Sequence, residues 1–145
     1  MKDPRQKAVS HLLSKCRGLP IVSILTYGSF GRGDYTSISD IDVLVVVDSL
    51  RYCDKVLTSL MKILENSRAK FHVGMDMDII LDSEIDLWNN GILTHGHHFS
   101  HLSTNYNKDA KVIFGEDIRR RFRLPSDFEE KARLNLKNIE AEYLT

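Results

Sequence analysis

The sequence predicts an α+β domain: a small mixed β-sheet with helices packed against it. Three observations lead there. Short aliphatic, β-branched runs alternate with segments of helical spacing. The order reads helix, strand, strand, helix, strand, helix, then a mixed tail. The link between the first two strands is too short for an ordinary parallel crossover helix, which argues against a doubly wound sheet. A length of 145 residues with 42% hydrophobic content suits one domain over residues 1–145 with a real core.

The first helix is expected from Pro4 to Arg17, with Ala8, Val9, Leu12, Leu13 and Cys16 on one face. Gly18 and Pro20 stop it. "IVSILTY", Ile21 to Tyr27, is a buried strand ended by Gly28. "IDVLVVV", Ile41 to Val47, is the second. Asp48 or Ser49 is expected to cap a helix running to about Asn66, with a stripe of Leu50, Cys53, Leu57, Leu60, Ile63 and Leu64. "MDMDIIL", Met75 to Leu81, is a third strand, and Ser83 opens a helix through Trp88. Trp88 suits the core, with stacking on a nucleotide base as the sharper alternative. A helix is expected within Ile92 to Asn107, and "KVIFG", Lys111 to Gly115, reads as a short edge strand. Ser126, preceded by Pro125 and followed by Glu129, forms a capping box for a last helix whose inner stripe is Phe128, Ala132, Leu136, Ile139 and Tyr143. That helix has no stop signal. Residues from about 116 to 145 therefore read as a helical extension that either continues into a further part or meets a helical partner or a second copy.

Composition excludes some classes. Acidic and basic residues balance at 20 each, so nothing global points to nucleic acid. No stretch approaches the roughly 18 apolar residues of a membrane span, and "MKDPRQKAVSHLL" lacks the apolar centre of a secretion signal. The expectation is a cytoplasmic protein with no membrane partner. Cys16 and Cys53 have no metal-type or redox-type spacing and are expected as buried thiols. Arg119, Arg120, Arg121 and Arg123 form either a solvated helix end or a phosphate- or partner-contacting patch. "THGHHFSH" places His95, His97, His98 and His101 together. On a helix, His97 and His101 would share a face and could bind Zn²⁺, although no acid or thiol completes the set; ordinary histidines or a partner surface are the other readings.

The chemistry concentrates in "GSFGRGDYTSISDIDVLVV", Gly28 to Val46. Side chains alternate along a strand, so Asp40 and Asp42 point to one side, with Cα atoms roughly 6.5 Å apart. Such carboxylates can share one divalent ion or bridge two ions about 3.5–4 Å apart. Hard oxygen ligands suit Mg²⁺ or Mn²⁺. A third carboxylate would come from "MDMDIIL": Asp78, favoured because buried aliphatics follow it as they follow Asp42, or Asp76. Gly28 lets a ligand approach the backbone and Ser29 offers a hydroxyl. A helical turn over residues 29 to 33 would aim free N–H groups at an anion. Arg32 would add charge to phosphates or pair with Asp34. Phosphates beside a cation define a site for a nucleoside triphosphate.

Read together, "YGSFGRGDYTSISDIDVLVV" resembles the signature of the nucleotidyltransferase superfamily related to DNA polymerase β: Gly-Ser, a short gap, then Asp-x-Asp and aliphatics. "GRG" and "SDID" are similar to the minimal nucleotidyltransferases, including antitoxin-like members encoded beside helical partner proteins. With the third aspartate, the likeness spans Ile21 to Leu81. "KVIFGEDI" is similar to a stretch in aminoglycoside adenylyltransferase relatives. The resemblance implies a nucleotidyltransferase fold and a metal-dependent enzyme. Gly28 and Ser29 would hold the triphosphate of ATP or another NTP. Asp40, Asp42 and Asp78 would hold the metals, and Asp78 would help deprotonate a hydroxyl acceptor. A nucleoside monophosphate, AMP in the simplest case, would pass to a protein, an RNA end or a small molecule. The alternative it implies is an idle nucleotidyltransferase-fold binding protein, an antitoxin or scaffold acting through a helical partner. A Zn-dependent protein built on the histidines is a third reading.

Overall fold

The computed structural model describes residues 3–89 and 106–123. Its elements are α1 (Pro4–Cys16), β1 (Ile21–Tyr27), α2 (Gly28–Arg32), β2 (Ile41–Val47), α3 (Asp54–Phe71), β3 (Met75–Leu81), α4 (Ile85–Asn89) and β4 (Lys111–Gly115), with 3₁₀ turns at Asp82–Glu84 and Arg119–Arg121. The four strands form one sheet in the order β3-β2-β1-β4. β1 pairs antiparallel with both β2 and β4. β2 and β3 run parallel, joined by α3 as the crossover. The predicted mixed sheet with packed helices is therefore the observed one, and "KVIFG" occupies an edge.

One face of the sheet packs on α1 and α3. Ile24, Ile41, Val43, Val45, Val47 and Met75 meet Ala8, Val9, Leu12, Cys16, Val56, Leu60 and Leu64 there. The helical spacing of the α1 residues dictates this contact, and each fully buried aliphatic contributes about 1.5–3 kcal/mol. α1 begins where Asp3 accepts a hydrogen bond from the Arg5 N–H at 2.8 Å, with Pro4 in the first turn. The opposite face carries Leu25, Tyr27, Leu44, Val46 and Ile80, covered by Ile85, Tyr106, Ala110, Ile118 and Phe122. Alternation along β2 thus sends Val43 and Val45 to the helices and Asp42, Leu44 and Val46 to this second face.

Residues 48–53 differ from expectation. Asp48 does not open a helix. Its Oδ1 accepts from the Leu50 N–H at 3.0 Å, its Oδ2 meets Arg51 Nε at 3.0 Å, and its carbonyl accepts from the Arg51 N–H at 3.2 Å. These local bonds make a turn, the alternative that short polar side chains offer a backbone. α3 starts only at Asp54 and continues to Phe71, where His72 closes it in a left-handed conformation. The buried stripe is Val56, Leu60, Leu64 and Ser67, while Leu50 is 94% exposed and Leu57 is also exposed. Cys53 consequently stands in solvent rather than in the core. Cys16 is buried as expected, and burial pushes its thiol up to about 11.

The expected helix from Ser126, the histidines His95, His97, His98 and His101, and the side chain of Trp88 lie outside the described residues, as does most of the helix expected within 92–107. Arg119 pairs with Asp117 at 2.7 Å, and Arg121 donates to the Asp82 carbonyl at 3.2 Å. Among the described residues no helix is long and apolar enough to cross a membrane.

Candidate active site

The acidic residues gather at one end of the sheet. The register sets Tyr27 opposite Asp42 and Asp42 opposite Asp76, with Leu44 opposite Asp78 one step further in. Paired residues share a face, so Asp42, Asp76 and Asp78 all project to the side of Tyr27 and Leu44. Asp40 lies two residues before Asp42 and projects the same way. A parallel β2–β3 pair thus brings together carboxylates 36 positions apart, from Asp42 to Asp78.

Two glycines make room for them. Gly28 sits at φ +66°, and a Cβ there would lie 2.7 Å from Asp42 Oδ2. A Cβ on Gly74 would collide with the Asp40 carboxylate. Gly74 also accepts the Ile41 N–H at 2.9 Å, which ties the start of β2 to β3. Gly28 opens α2, one residue ahead of the turn expected over residues 29 to 33, and the first N–H groups of such a turn have no partner within it. Ser29 follows in that turn and is half-buried.

Asp42 carries the electrostatic signature of the site. Its carboxyl is pushed up to about 6, first by burial and then by repulsion from Asp76, Asp40 and Asp78. Asp78 Oδ2 accepts the Tyr27 hydroxyl at 2.7 Å. Asp76 is more open, at 68% side-chain exposure, and lies 3.5 Å from Arg68 Nη2. Arg68 also donates to the Met75 carbonyl at 2.6 Å. Arg32 stands apart: its Nε is 3.4 Å from Asp34 Oδ2 on the surface. It borders a cavity of about 540 Å³ lined also by Gln6, Ser10, Thr26, Tyr35 and Lys111. Thr26 faces away from Tyr27 along β1, so this cavity lies on the α1 side of the sheet.

The loop delivering Asp40 is held from outside. Arg5 donates to the Ser39 carbonyl at 3.0 Å and to the Ser37 carbonyl at 2.5 Å. Its guanidinium lies 5.7 Å from the Tyr35 ring centroid, and the Tyr35 hydroxyl donates to Asp3 at 3.0 Å. Sequence reasoning missed Arg5, Tyr27, Arg68 and Gly74. Gly74 had a legible signal, a glycine directly before a strand whose second residue is an acid. Arg5 and Tyr27 depend on contacts between distant segments, and Arg68 on the chain reversal between α3 and β3.

Among the described residues, no three His, Cys, Asp or Glu side chains already surround a common metal position. The donors nevertheless suit a hard divalent cation. They are carboxylate oxygens, and a cation would relieve the repulsion that raises Asp42.

A mixed sheet with a Gly-Ser turn leaving β1 and acids leading β2 and β3 defines a nucleotidyltransferase-type domain. Residues 9–136 match the nucleotidyltransferase domain family, and the chain belongs to it. A predicted protein adenylyltransferase of Methanocaldococcus jannaschii is 55% identical over 40 residues, which span 28% of this chain and 39% of that protein. The spectinomycin adenyltransferase of Enterococcus faecialis, solved with ATP and spectinomycin, shares the fold at a TM-score of 0.61. That alignment has 16% identity and covers 96% of this chain and 65% of the other. A toxin-antitoxin structure with AMP-PNP aligns at a TM-score of 0.45 and 14% identity over 94% of this chain and 90% of its own.

Proposed function

We propose that this chain transfers AMP from ATP to a hydroxyl group of a protein. The acceptor class is suggested by the Methanocaldococcus relative, and ATP by the nucleotide in the spectinomycin adenyltransferase. The observation that carries the reading is Asp42: a carboxylate pushed up to about 6 by burial and by three neighbouring acids, beside a glycine whose missing Cβ keeps its oxygen clear. A half-buried carboxylate crowded by like charges is costly unless a cation compensates it.

Asp40, Asp42 and Asp78 would hold Mg²⁺ or Mn²⁺. When bound, such ions offset charge on the entering and leaving oxygens of a phosphoryl transfer. The backbone N–H groups of the α2 turn and the Ser29 hydroxyl would orient the triphosphate, with Gly28 admitting it against the backbone. The acceptor oxygen bonds to the α-phosphorus, the bond from that phosphorus to the bridging oxygen breaks, and pyrophosphate departs. The acceptor proton passes to Asp78 Oδ1, because Oδ2 already accepts from Tyr27. Arg32 reaches the phosphates only if it leaves Asp34; in an exposed pair that exchange costs about 1 kcal/mol or less.

The test is incubation with α-labelled ATP, Mg²⁺ and a cell extract. A labelled protein band is expected with the wild type, with a loss of about 100-fold or more for Asp42→Asn. Label on RNA or a small molecule would replace the acceptor class. A rise in melting temperature with ATP and Mg²⁺ but no label on any acceptor would favour the idle, partner-binding alternative.

A further inference from the structure

We infer that Tyr27 is a positioning residue for this site: its hydroxyl reaches over β2 and fixes the Asp78 carboxylate, leaving Oδ1 as the oxygen that works. The inference rests on the reading of Asp78 as the third carboxylate.

The geometry is specific. Tyr27 is on β1 and Asp78 is on β3, and β2 lies between them. Two strand spacings amount to roughly 9.5 Å, beyond the reach of most side chains. A tyrosine spans much of that distance, and the short aspartate meets it at 2.7 Å. Asp42 is its partner in register and Leu44 the partner of Asp78, so the line from Tyr27 to Asp78 passes β2 on the diagonal. Tyr27 is only 6% exposed. Tyr106 abuts its ring edge-to-face at 5.0 Å, and Tyr106 packs in turn on Phe122 at 5.1 Å. The donor is therefore held by ring packing before any ligand arrives.

Packing alone does not require the hydroxyl, since phenylalanine would fill the same space. The hydroxyl adds a hydrogen bond to an ionised acceptor, the stronger kind. It also restricts a side chain that otherwise rotates freely about two bonds. Asp76 is held more loosely: it is exposed and lies 3.5 Å from Arg68, which is itself tied to the Met75 carbonyl. The two acids of "MDMDIIL" thus differ in order, and the ordered one is the better ligand and base.

The experiment uses the full chain and four variants: Tyr27→Phe, Asp78→Asn, the double variant and Tyr27→p-aminophenylalanine. Circular dichroism and melting temperature check the fold. Mn²⁺ alone, titrated by electron paramagnetic resonance, supplies a readout independent of turnover. Tyr27→Phe is expected to weaken Mn²⁺ binding by about 10-fold and to lower kcat by about 10-fold or more, with KM for ATP within about twofold of wild type. In the double variant the loss should equal that of Asp78→Asn alone, because the two groups act as one unit. Tyr27→p-aminophenylalanine, which restores a donor at the same place, should recover most of both effects. If Tyr27→Phe binds Mn²⁺ and turns over like the wild type while Asp78→Asn is impaired, the positioning role is refuted. If Tyr27→Phe is unfolded, failure of Tyr27→p-aminophenylalanine to restore Mn²⁺ binding in a folded protein refutes it. If Asp78→Asn itself turns over normally, the reading of Asp78 falls and the inference falls with it.

Discussion

Replacing Asp42 with asparagine should stabilise the protein while silencing it. In the native state the Asp42 carboxyl is pushed from 3.8 up to about 6, by burial first and by Asp76, Asp40 and Asp78 after it. That rise corresponds to at most about 3 kcal/mol against the folded state once Asp42 is ionised. The site is partly open to water, which reduces the figure to about 1–2 kcal/mol. The sign follows from proton counting. Between about pH 4 and 6 the folded chain keeps a proton on Asp42 that the unfolded chain has lost. Asp42 therefore favours folding most below about pH 4, and this contribution disappears as pH rises through about 6. Asparagine imitates the protonated form at every pH. Asp42→Asn should thus raise stability by about 1–2 kcal/mol at pH 8 in EDTA, or about 3–8 °C in melting temperature for 145 residues. Near pH 4 the gain should vanish. Urea unfolding of both proteins at pH 4 and pH 8, with and without Mg²⁺, measures it. Mg²⁺ should stabilise the wild type and not the variant. A gain equal at both pH values, or a loss at pH 8, would refute the electrostatic account of this site.

Two further perturbations address the frame around the acids. Gly28→Ala places a Cβ 2.7 Å from Asp42 Oδ2 and forces a residue with a side chain to φ +66°, so a loss of about 1–2 kcal/mol is expected in thermal unfolding, together with reduced ATP binding. Arg5→Ala removes two hydrogen bonds to the carbonyls of Ser37 and Ser39, so about 1.5–3 kcal/mol should be lost, and amide exchange should accelerate in residues 34–40 specifically. Uniform exchange across the chain would show that Arg5 does not hold that loop.

Strand identity was legible because each strand is a short aliphatic run with a breaker or an acid at its edge. Ile21–Tyr27, Ile41–Val47, Met75–Leu81 and Lys111–Gly115 all occupy their predicted spans. α1 was legible from the stripe of Ala8, Val9, Leu12 and Cys16. The start of α3 was not. Apolar residues at helical spacing run back to Leu50, but the bonds of Asp48 to the Leu50 N–H and to Arg51 stabilise a turn there. Periodicity does not register that competition.

The amino-acid order alone determined that Asp40 and Asp42 share a side, that a Gly-Ser turn follows β1, and that two acids lead β3, since these are consequences of alternation along single strands. Tertiary structure decided which distant groups meet. The parallel β2–β3 register set Asp76 and Asp78 against Asp42 and Leu44, and an antiparallel or slipped register would have parted them. The reach of Tyr27 to Asp78, the place of Gly74 under Asp40 and the grip of Arg5 on Ser37 and Ser39 arise between segments far apart in the chain. Local spacing carries no trace of such contacts, because packing and hydrogen bonding across the assembled sheet create them.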